Sequence, residues 1–217
     1  MESVIDTLMV LALRMPYWEE CAVALGIIYL LLAMRQNIAC WYAAFASTLI
    51  YMFLFWDVRL LMESGLQVYY LFMAIFGWWQ WRHHNKSGHK EDLEISSWSV
   101  QQHSLAIGGT LILAAISGQL LSENTDAAHP YLDSFTTWGA VITTYMVTRK
   151  VLENWLYWIV IDGLSIFLYL DRELYPTAAL FVAYEVIVVI GYFQWRKEYN
   201  NNQETNNLAS LSSMESP

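Results

Sequence analysis

Charged residues are scarce in this chain of 217 residues. Asp, Glu, Lys and Arg make up 14% of it, against about 25% in soluble globular domains, while 57% of the residues are hydrophobic. A soluble helical bundle needs charged faces on its helices, and most apolar stretches here have none. The shortage argues against a soluble bundle. It predicts an integral membrane protein whose 11 Trp and 14 Tyr supply aromatic belts at two membrane interfaces.

Basic residues and catalytic motifs are also lacking. The chain has 11 Lys and Arg against 20 Asp and Glu, a net charge of −9, so no nucleic acid partner is expected. It has no Gly-rich phosphate loop, no GxSxG nucleophile and no HExxH metal motif, so neither an enzyme nor a cofactor is predicted. His83, His84 and His89 cluster without cysteine partners and are interpreted as solvated loop residues rather than metal ligands.

Cysteine is nearly absent. Cys21 and Cys40 fall near opposite ends of consecutive predicted helices, too far apart for a disulfide. A cleavable signal peptide is not expected either, because the first apolar run, residues 4–15, contains Asp6 and Arg14 and lacks a basic start.

One phrase occurs twice. GWWQWR begins at Gly77 and GYFQWR begins at Gly191, 114 positions later. The same offset pairs identical residues upstream: Arg35 with Arg149, Trp41 with Trp155, Leu54 with Leu168, Asp57 with Asp171, Leu60 with Leu174, Leu66 with Leu180, and Tyr70 with Tyr184. Matches kept in register over about half the chain indicate duplication of a structural unit.

Seven apolar segments approach the ~20 residues that cross a bilayer. They lie at 19–34, 38–56, 60–81, 103–121, 133–148, 151–170 and 175–195. Residues 1–18 are predicted to form an amphipathic helix on the membrane surface. Lys and Arg are concentrated after the odd-numbered spans, so the positive-inside rule predicts an outer N-terminus and a cytoplasmic C-terminus.

The repeat divides this all-α protein into two three-helix units, residues 19–82 and 133–198. Residues 83–132 supply a cytoplasmic loop, a linker helix and an outer loop. The fourth helix is required because a duplicated unit with an odd number of spans would otherwise enter the membrane inverted. The result is a 3+1+3 parallel repeat, a layout known in transporters. Residues 199–217 are polar and low in complexity, and we expect a disordered cytoplasmic tail.

Polar and aromatic side chains converge at one depth on inward stripes of several spans. The candidate binding residues are Thr48, Gln67, Tyr70, Asn154, Trp155, Trp158, Asp162 and Tyr184. A carboxylate such as Asp162 near the bilayer centre costs at least ~2.5 kcal/mol, so it should face a cavity or a partner. The faces of aromatic rings attract cations, and amide side chains form hydrogen bonds with polar groups of a ligand. The set therefore predicts a flat ligand that is cationic or partly so.

Other interpretations of these residues stay open. Trp78 and Trp81, at a span end beside Arg82, are either interfacial anchors or a cytoplasmic gate. Gln67 suits hydrogen bonding between helices as well as ligand binding. Trp158 suits packing as well as ligand contact, and the role of Glu185 is equally open.

Three segments resemble the PnuC family of bacterial vitamin transporters. They are Gly65–Tyr70 (GLQVYY), Gly77–Trp81 (GWWQW) and Arg149–Trp158 (RKVLENWLYW). The Glu-Asn-Trp-x-x-Trp phrase after Arg-Lys is the most specific, and the resemblance covers the spans but not the tails. It implies Gln67, Asn154, Trp155 and Trp158 as ligand contacts, and Trp78 with Trp81 as contact or gate.

The resemblance also implies a SWEET-like 3+1+3 fold, assembly as a homotrimer in the bacterial inner membrane, and no cofactor. It implies uptake of nicotinamide riboside by facilitated diffusion, made one-way by a cytoplasmic kinase that traps the substrate. Relatives within the family carry thiamine or riboflavin, so a thiamine transporter is the alternative. A ligand sensor that binds without translocation is the alternative from another class.

Overall fold

The protein is described here by a computed structural model over residues 17–57, 61–83, 85–86, 89–90, 93–125, 129–171 and 175–215. The amphipathic helix predicted within residues 1–18 lies almost entirely outside this part of the chain. The described residues form seven helices: α1 Tyr17–Met34, α2 Cys40–Asp57, α3 Leu61–Arg82, α4 Val100–Asn124, α5 Pro130–Thr148, α6 Asn154–Asp171 and α7 Tyr175–Glu215. Each overlaps one of the seven predicted spans.

Two details differ from the sequence-based expectation. A small antiparallel ladder joins β1 (Asn85–Lys86) and β2 (His89–Lys90) in a chain predicted to be all helical. The predicted disordered tail from residue 199 is instead helical, because α7 continues to Glu215. An established helix propagates at little cost, since each added residue gains a hydrogen bond without a new nucleation step. The composition of the tail alone does not show this effect of the preceding helix.

Local sequence explains where several helices begin. Ser99 caps α4: its hydroxyl accepts a bond from the Gln102 backbone N–H, and the Gln102 side chain accepts one from the Ser99 backbone N–H. This reciprocal capping box satisfies two donors that a helix N-terminus leaves free. Helix α5 starts at Pro130, with Asp133 in its first turn. Proline is tolerated at this position because the backbone N–H that it lacks would have no partner within the helix. The Asp133 carboxylate complements the positive end of the helix dipole.

Helices α1 and α5 end in the same way. Gln36, with φ of 53°, and Lys150, with φ of 49°, follow these two helices, and they lie 114 positions apart. After α1, the Asn37 N–H donates to the Leu32 carbonyl at 2.9 Å; after α5, the Val151 N–H donates to the Met146 carbonyl at 3.0 Å. Both are the long closing bond of a left-handed helix cap. The duplication therefore extends to backbone conformation at positions that are not identical in sequence.

Helix packing follows the same offset. In the first half α1 contacts α2 and α2 contacts α3, and in the second half α5 contacts α6 and α6 contacts α7. The halves meet where α1 packs on α7 and where α3 packs on α5, two interfaces that the offset of 114 interchanges. Helix α4 packs on α5 and leaves Leu105, Ile112 and other large apolar side chains exposed. The two halves thus form one bundle with α4 at its side.

Candidate functional site

Four tryptophans form the centre of the core where the halves meet. Trp41 and Trp81 contact edge to face, with centroids 5.3 Å apart and planes at 84°, and Trp155 with Trp195 repeats both values. Trp81 and Trp195 then contact one another across the halves, at 6.4 Å and 52°. Edge-to-face pairs at these separations are favoured by the ring quadrupoles. This tryptophan cluster (Trp41, Trp81, Trp155, Trp195) fixes the halves at one end of the bundle.

The glycines of the repeated phrase make room for these rings. A Cβ on Gly77 would lie 2.3 Å from the Trp41 ring, and a Cβ on Gly191 would lie 2.7 Å from the Trp155 ring. Real Cβ atoms do not approach carbon so closely, so only glycine fits without displacement of the ring. The repeated phrase is therefore a packing motif for α3 on α2 and for α7 on α6.

Asn154 begins α6 directly beside the cluster. Its side chain is fully buried, and its amide nitrogen donates to the Val151 carbonyl at 2.6 Å. Among the described residues its Oδ1 meets no hydrogen-bond partner, and neither does Nε1 of Trp155. Buried polar atoms are almost always paired, so an acceptor and a donor remain available at adjacent positions near the start of α6.

Trp158 and Asp162 continue along α6, four residues apart and therefore on one face. Trp158 is half-buried and packs against the core, whereas Asp162 is buried with 6% of its surface exposed. Asp162 lies within electrostatic reach of Tyr184 and Glu185 of α7. Glu185 Oε2 is buried without a partner in the described part of the chain. Asp162 of α6 thus has a second carboxyl group and a phenol within electrostatic reach, both supplied by α7.

Tyr184 also approaches the first half. A Cβ added to Gly26 of α1 would lie 3.3 Å from the Tyr184 hydroxyl and 3.8 Å from Ser47 Oγ. Ser47 is buried and donates to the Ala22 carbonyl at 2.7 Å. Thr48, the position that the offset of 114 makes equivalent to Asp162, follows Ser47 and is half-buried. The acidic group on α6 and α7 therefore adjoins α1 and α2.

The predicted residues of α3 are less tightly placed. Gln67 and Tyr70 are half-buried, and the Tyr70 ring lies 5.6 Å from that of Tyr69. Tyr69 donates its hydroxyl to the Val141 carbonyl of α5 at 2.8 Å, which ties α3 to the other half. Tyr70 is within electrostatic reach of Tyr29 on α1. This stripe faces the junction of the halves.

The predicted gate residues occupy two environments. Trp81 belongs to the tryptophan cluster and is 6% exposed. Trp78 is half-buried; its Nε1 donates to the Tyr42 hydroxyl at 2.8 Å, and the Arg82 guanidinium lies 5.1 Å from its ring centroid. An apolar cavity of about 300 Å³ lies beside it, lined by Trp41, Tyr42, Phe45, Ala74, Ile75 and Trp78. The two rings therefore differ in burial and in the groups that they contact.

The segment before α4 makes contacts that the sequence analysis did not predict. The Ser96 N–H donates to the Lys150 carbonyl at 3.0 Å, and the Leu152 N–H donates to the Ser96 carbonyl at 2.8 Å. The Glu153 carboxylate accepts bonds from the Ser97 hydroxyl and the Trp98 N–H. This linker strap (residues 93–99) borders a cavity of about 970 Å³ that Arg149 and Tyr199 also line. The repeat gave no signal for it, because only one half carries it.

No group of three His, Cys, Asp or Glu residues is placed to hold a metal ion in the described ranges. Two helical segments there, Val100–Asn124 and Ala178–Leu208, are long and apolar enough to cross a membrane, and shorter apolar stretches lie at Glu20–Met34, Cys40–Leu54 and Asn154–Leu168. These helices are compatible with membrane spans.

The fold matches that of a solved membrane transporter. The crystal structure of the vitamin B3 transporter PnuC superposes with a TM-score of 0.69 at 20% identity, covering 85% of this chain and 83% of that one. The shared fold is therefore that of a helical transporter. The chain belongs to the nicotinamide mononucleotide transporter family, whose model matches residues 16–197; this is the PnuC family of vitamin transporters.

Curated relatives cover most of the chain at low identity. The riboflavin/roseoflavin transporter RibM of Streptomyces davaonensis is 25% identical over 79% of this chain and 80% of its own. The nicotinamide riboside transporter PnuC of Escherichia coli is 21% identical over 82% and 84%, and that of Haemophilus influenzae is 25% identical over 79% and 76%. The relatives are transporters that carry different vitamins.

Proposed function

We propose that this protein takes up nicotinamide riboside across the bacterial inner membrane by facilitated diffusion. The observation that best supports a transport role is the contact between equivalent residues of the two halves, Trp81 against Trp195. Two equivalent units that meet along a common axis are able to rock against one another, and alternating access requires such a motion. A cytoplasmic kinase then traps the carried substrate and makes net uptake one-way.

The proposed architecture is a 3+1+3 parallel repeat with α1–α3 and α5–α7 as its units and α4 as the inverting helix. The N-terminus lies outside and the C-terminus inside, since Arg82, Arg149 and Arg196 then fall on the cytoplasmic side. We include the interfacial helix before residue 19 in this arrangement. Helix α4 exposes a large apolar surface, which suits contact with lipid and with two further copies in a homotrimer.

The proposed binding site lies between the units. Trp158 and Tyr184 stack on the aromatic ring of the substrate, and Asp162 faces its positive charge. The amide groups of Gln67 and Asn154 bind the polar arm, with Thr48, Tyr70 and Trp155 completing the walls. The buried carboxyl of Asp162 beside that of Glu185 favours a cation over neutral riboflavin. Trp78 and Trp81 gate the cytoplasmic side.

Thiamine is the second candidate, because it is also an aromatic cation with a polar arm and suits the same acidic group. Calorimetry on the purified protein distinguishes the two candidates, with nicotinamide riboside, thiamine and riboflavin tested separately. We expect the riboside to bind. Thiamine binding alone overturns the substrate and keeps the transport role, whereas riboflavin binding alone also overturns the proposed use of Asp162.

A sensor would bind the same ligand without moving it. Counterflow in proteoliposomes separates these functions: vesicles loaded with unlabelled ligand accumulate labelled ligand only if the protein exchanges it. We expect accumulation that empty vesicles do not give. Binding without counterflow rejects the transporter and favours the sensor.

A further inference from the structure

One hydrogen bond joins two residues that are equivalent under the repeat. Lys150 Nζ donates to Gln36 Oε1 at 3.0 Å, and the two residues lie 114 positions apart, each with positive φ after α1 or α5. They are the only non-glycine residues with positive φ in the described ranges. Equivalent residues in direct contact lie on the axis that relates the halves. The bond therefore marks one end of this axis.

The same end carries the tryptophan cluster. The Lys150 side chain is buried, with 6% exposed, and its ammonium lies 4.7 Å from the centroid of the Trp81 ring. Trp81 contacts its equivalent, Trp195, across the axis. Lys150 of the second half thus reaches both the turn after α1 and the last turn of α3 in the first half. A cation over an indole face is a stabilising contact, more so when water is excluded.

We propose that the Gln36–Lys150 bond, with Lys150 seated on Trp81, is a latch that closes this end of the substrate path and must break for it to open. The proposal rests on the proposed transport function, because it assumes a path between the halves. When the two units rock against one another about a line that crosses this axis near the middle of the bundle, their separation grows most at one end of the axis. A bond on the axis at that end cannot survive the opening, so its strength biases the balance between closed and open states.

Cys40 supplies a native reporter for this opening. It is the first residue of α2, is fully buried, and lies within electrostatic reach of Lys150. Cys21, the other cysteine, is exposed and is replaced by Ser in every protein tested. The rate at which a maleimide modifies Cys40 in the purified protein then reports how often this end opens. This measurement needs neither substrate nor membrane orientation.

Three variants test the latch. Lys150→Met keeps an apolar stem of similar length over Trp81 but removes the charge and the hydrogen bond, and we expect Cys40 labelling to accelerate about fivefold or more. Gln36→Glu replaces the neutral acceptor by a charged one, and we expect labelling to slow about threefold or more. Gln36→Glu added to Lys150→Met should lose its slowing effect, because the partner is gone. Arg149→Met is the matched control, since it removes an exposed neighbouring charge.

Labelling is measured well below each variant's unfolding temperature, so that global unfolding does not contribute. If Lys150→Met does not fold, Lys150→Arg and Gln36→Glu still test the latch. The proposal is overturned if Gln36→Glu leaves the labelling rate unchanged, or if it has the same effect with and without Lys150. Equal acceleration by Arg149→Met also overturns it. Failure of the transport function appears separately, as absent counterflow in the unmodified protein.

Discussion

Trp158 and Trp155 show how side chains from one sequence phrase separate in space. Both belong to the Glu-Asn-Trp-x-x-Trp phrase, yet Trp155 is 2% exposed and packs edge to face on Trp195, whereas Trp158 is half-buried. A ring enclosed by the core has little face left for a ligand. Trp158 is therefore the stronger candidate for stacking, whereas Trp155 completes the wall of the proposed site and holds α6 against α7.

Substitution of Trp158 tests this assignment. We expect Trp158→Ala to weaken binding of nicotinamide riboside by about tenfold to a hundredfold, because one aromatic stacking contact is worth roughly 1–3 kcal/mol. Trp158→Phe should retain part of the affinity, since it keeps a smaller ring. Calorimetry measures both variants. Trp79→Ala, the same change at a Trp that is 50% exposed, is the control, and an equal loss there would contradict the assignment.

Asp162 carries the electrostatic part of the proposed site. We expect Asp162→Asn to lower affinity for the cationic riboside about tenfold, which corresponds to the loss of roughly 1.4 kcal/mol, while the shape of the side chain is kept. Removal of the exposed Glu204 charge by Glu204→Gln should leave affinity unchanged. If Asp162→Asn binds as well as the unmodified protein, the carboxyl does not recognise the cation and serves packing or gating instead.

At the scale of elements, the repeated Gly-x-x-Gln-Trp-Arg phrase joins two helices in each half. The Trp of the phrase contacts a Trp near the start of the preceding helix, and the Gly lies against the face of that same ring. The two Trp–Trp contacts have the same geometry, which explains why sequence identity at the offset of 114 is concentrated at these positions. Elsewhere the halves diverge, because lipid-facing positions need only remain apolar.

The two glycines should be equivalent in a stability measurement. We expect Gly77→Ala and Gly191→Ala each to destabilise the protein by about 1–3 kcal/mol, because the added methyl overlaps a buried indole. Gly108→Ala is the matched control, since a Cβ there meets nothing within 4 Å and alanine favours the helix. Thermal unfolding in detergent, followed by tryptophan fluorescence, measures all three. A loss at Gly108 as large as at Gly77 would show that the cost is not this overlap.

The linker strap is an element that exists in one half only. Glu153 holds the end of the strap through the Ser97 hydroxyl and the Trp98 N–H, and the strap pairs with the turn that carries Lys150. On the Gln36 side, by contrast, no such pairing occurs among the described residues. The strap therefore makes the two halves chemically unequal at the axis end, although their helices are equivalent.

For the whole molecule, the decisive property is whether movement of the halves is driven by an ion. We propose that exchange is driven by the substrate alone. We expect riboside uptake into proteoliposomes to persist at an unchanged initial rate when ionophores abolish the membrane potential and the proton and sodium gradients. Vesicles without protein give the background. Strict dependence of uptake on Na⁺ or on a proton gradient would reject facilitated diffusion.

The scaffold of this protein can be predicted from its sequence alone. Apolar segments of membrane length, separated by short polar turns, predict the seven helices, and helix bounds agree to within a few residues except at the end of α7. Identity at a fixed offset predicts the duplication, because equal interfaces demand equal residues. The resemblance carried by the Glu-Asn-Trp-x-x-Trp phrase predicts the PnuC family, which the match over residues 16–197 confirms.

Which side chains meet depends on how the helices pack against one another. Gln36 and Lys150 are not identical, so the identities at the offset of 114 do not include them. Packing of the two halves brings Lys150 Nζ within 3.0 Å of Gln36 Oε1. The same packing encloses Trp155, leaves Trp158 half-buried, and sets Asp162 beside Glu185. Helical periodicity fixes the face on which a residue lies, but burial and partners depend on the other helix. In the contacts between Trp155 and Trp195, between Asp162 and Glu185, and between Gln36 and Lys150, the partner lies more than 20 residues away along the chain.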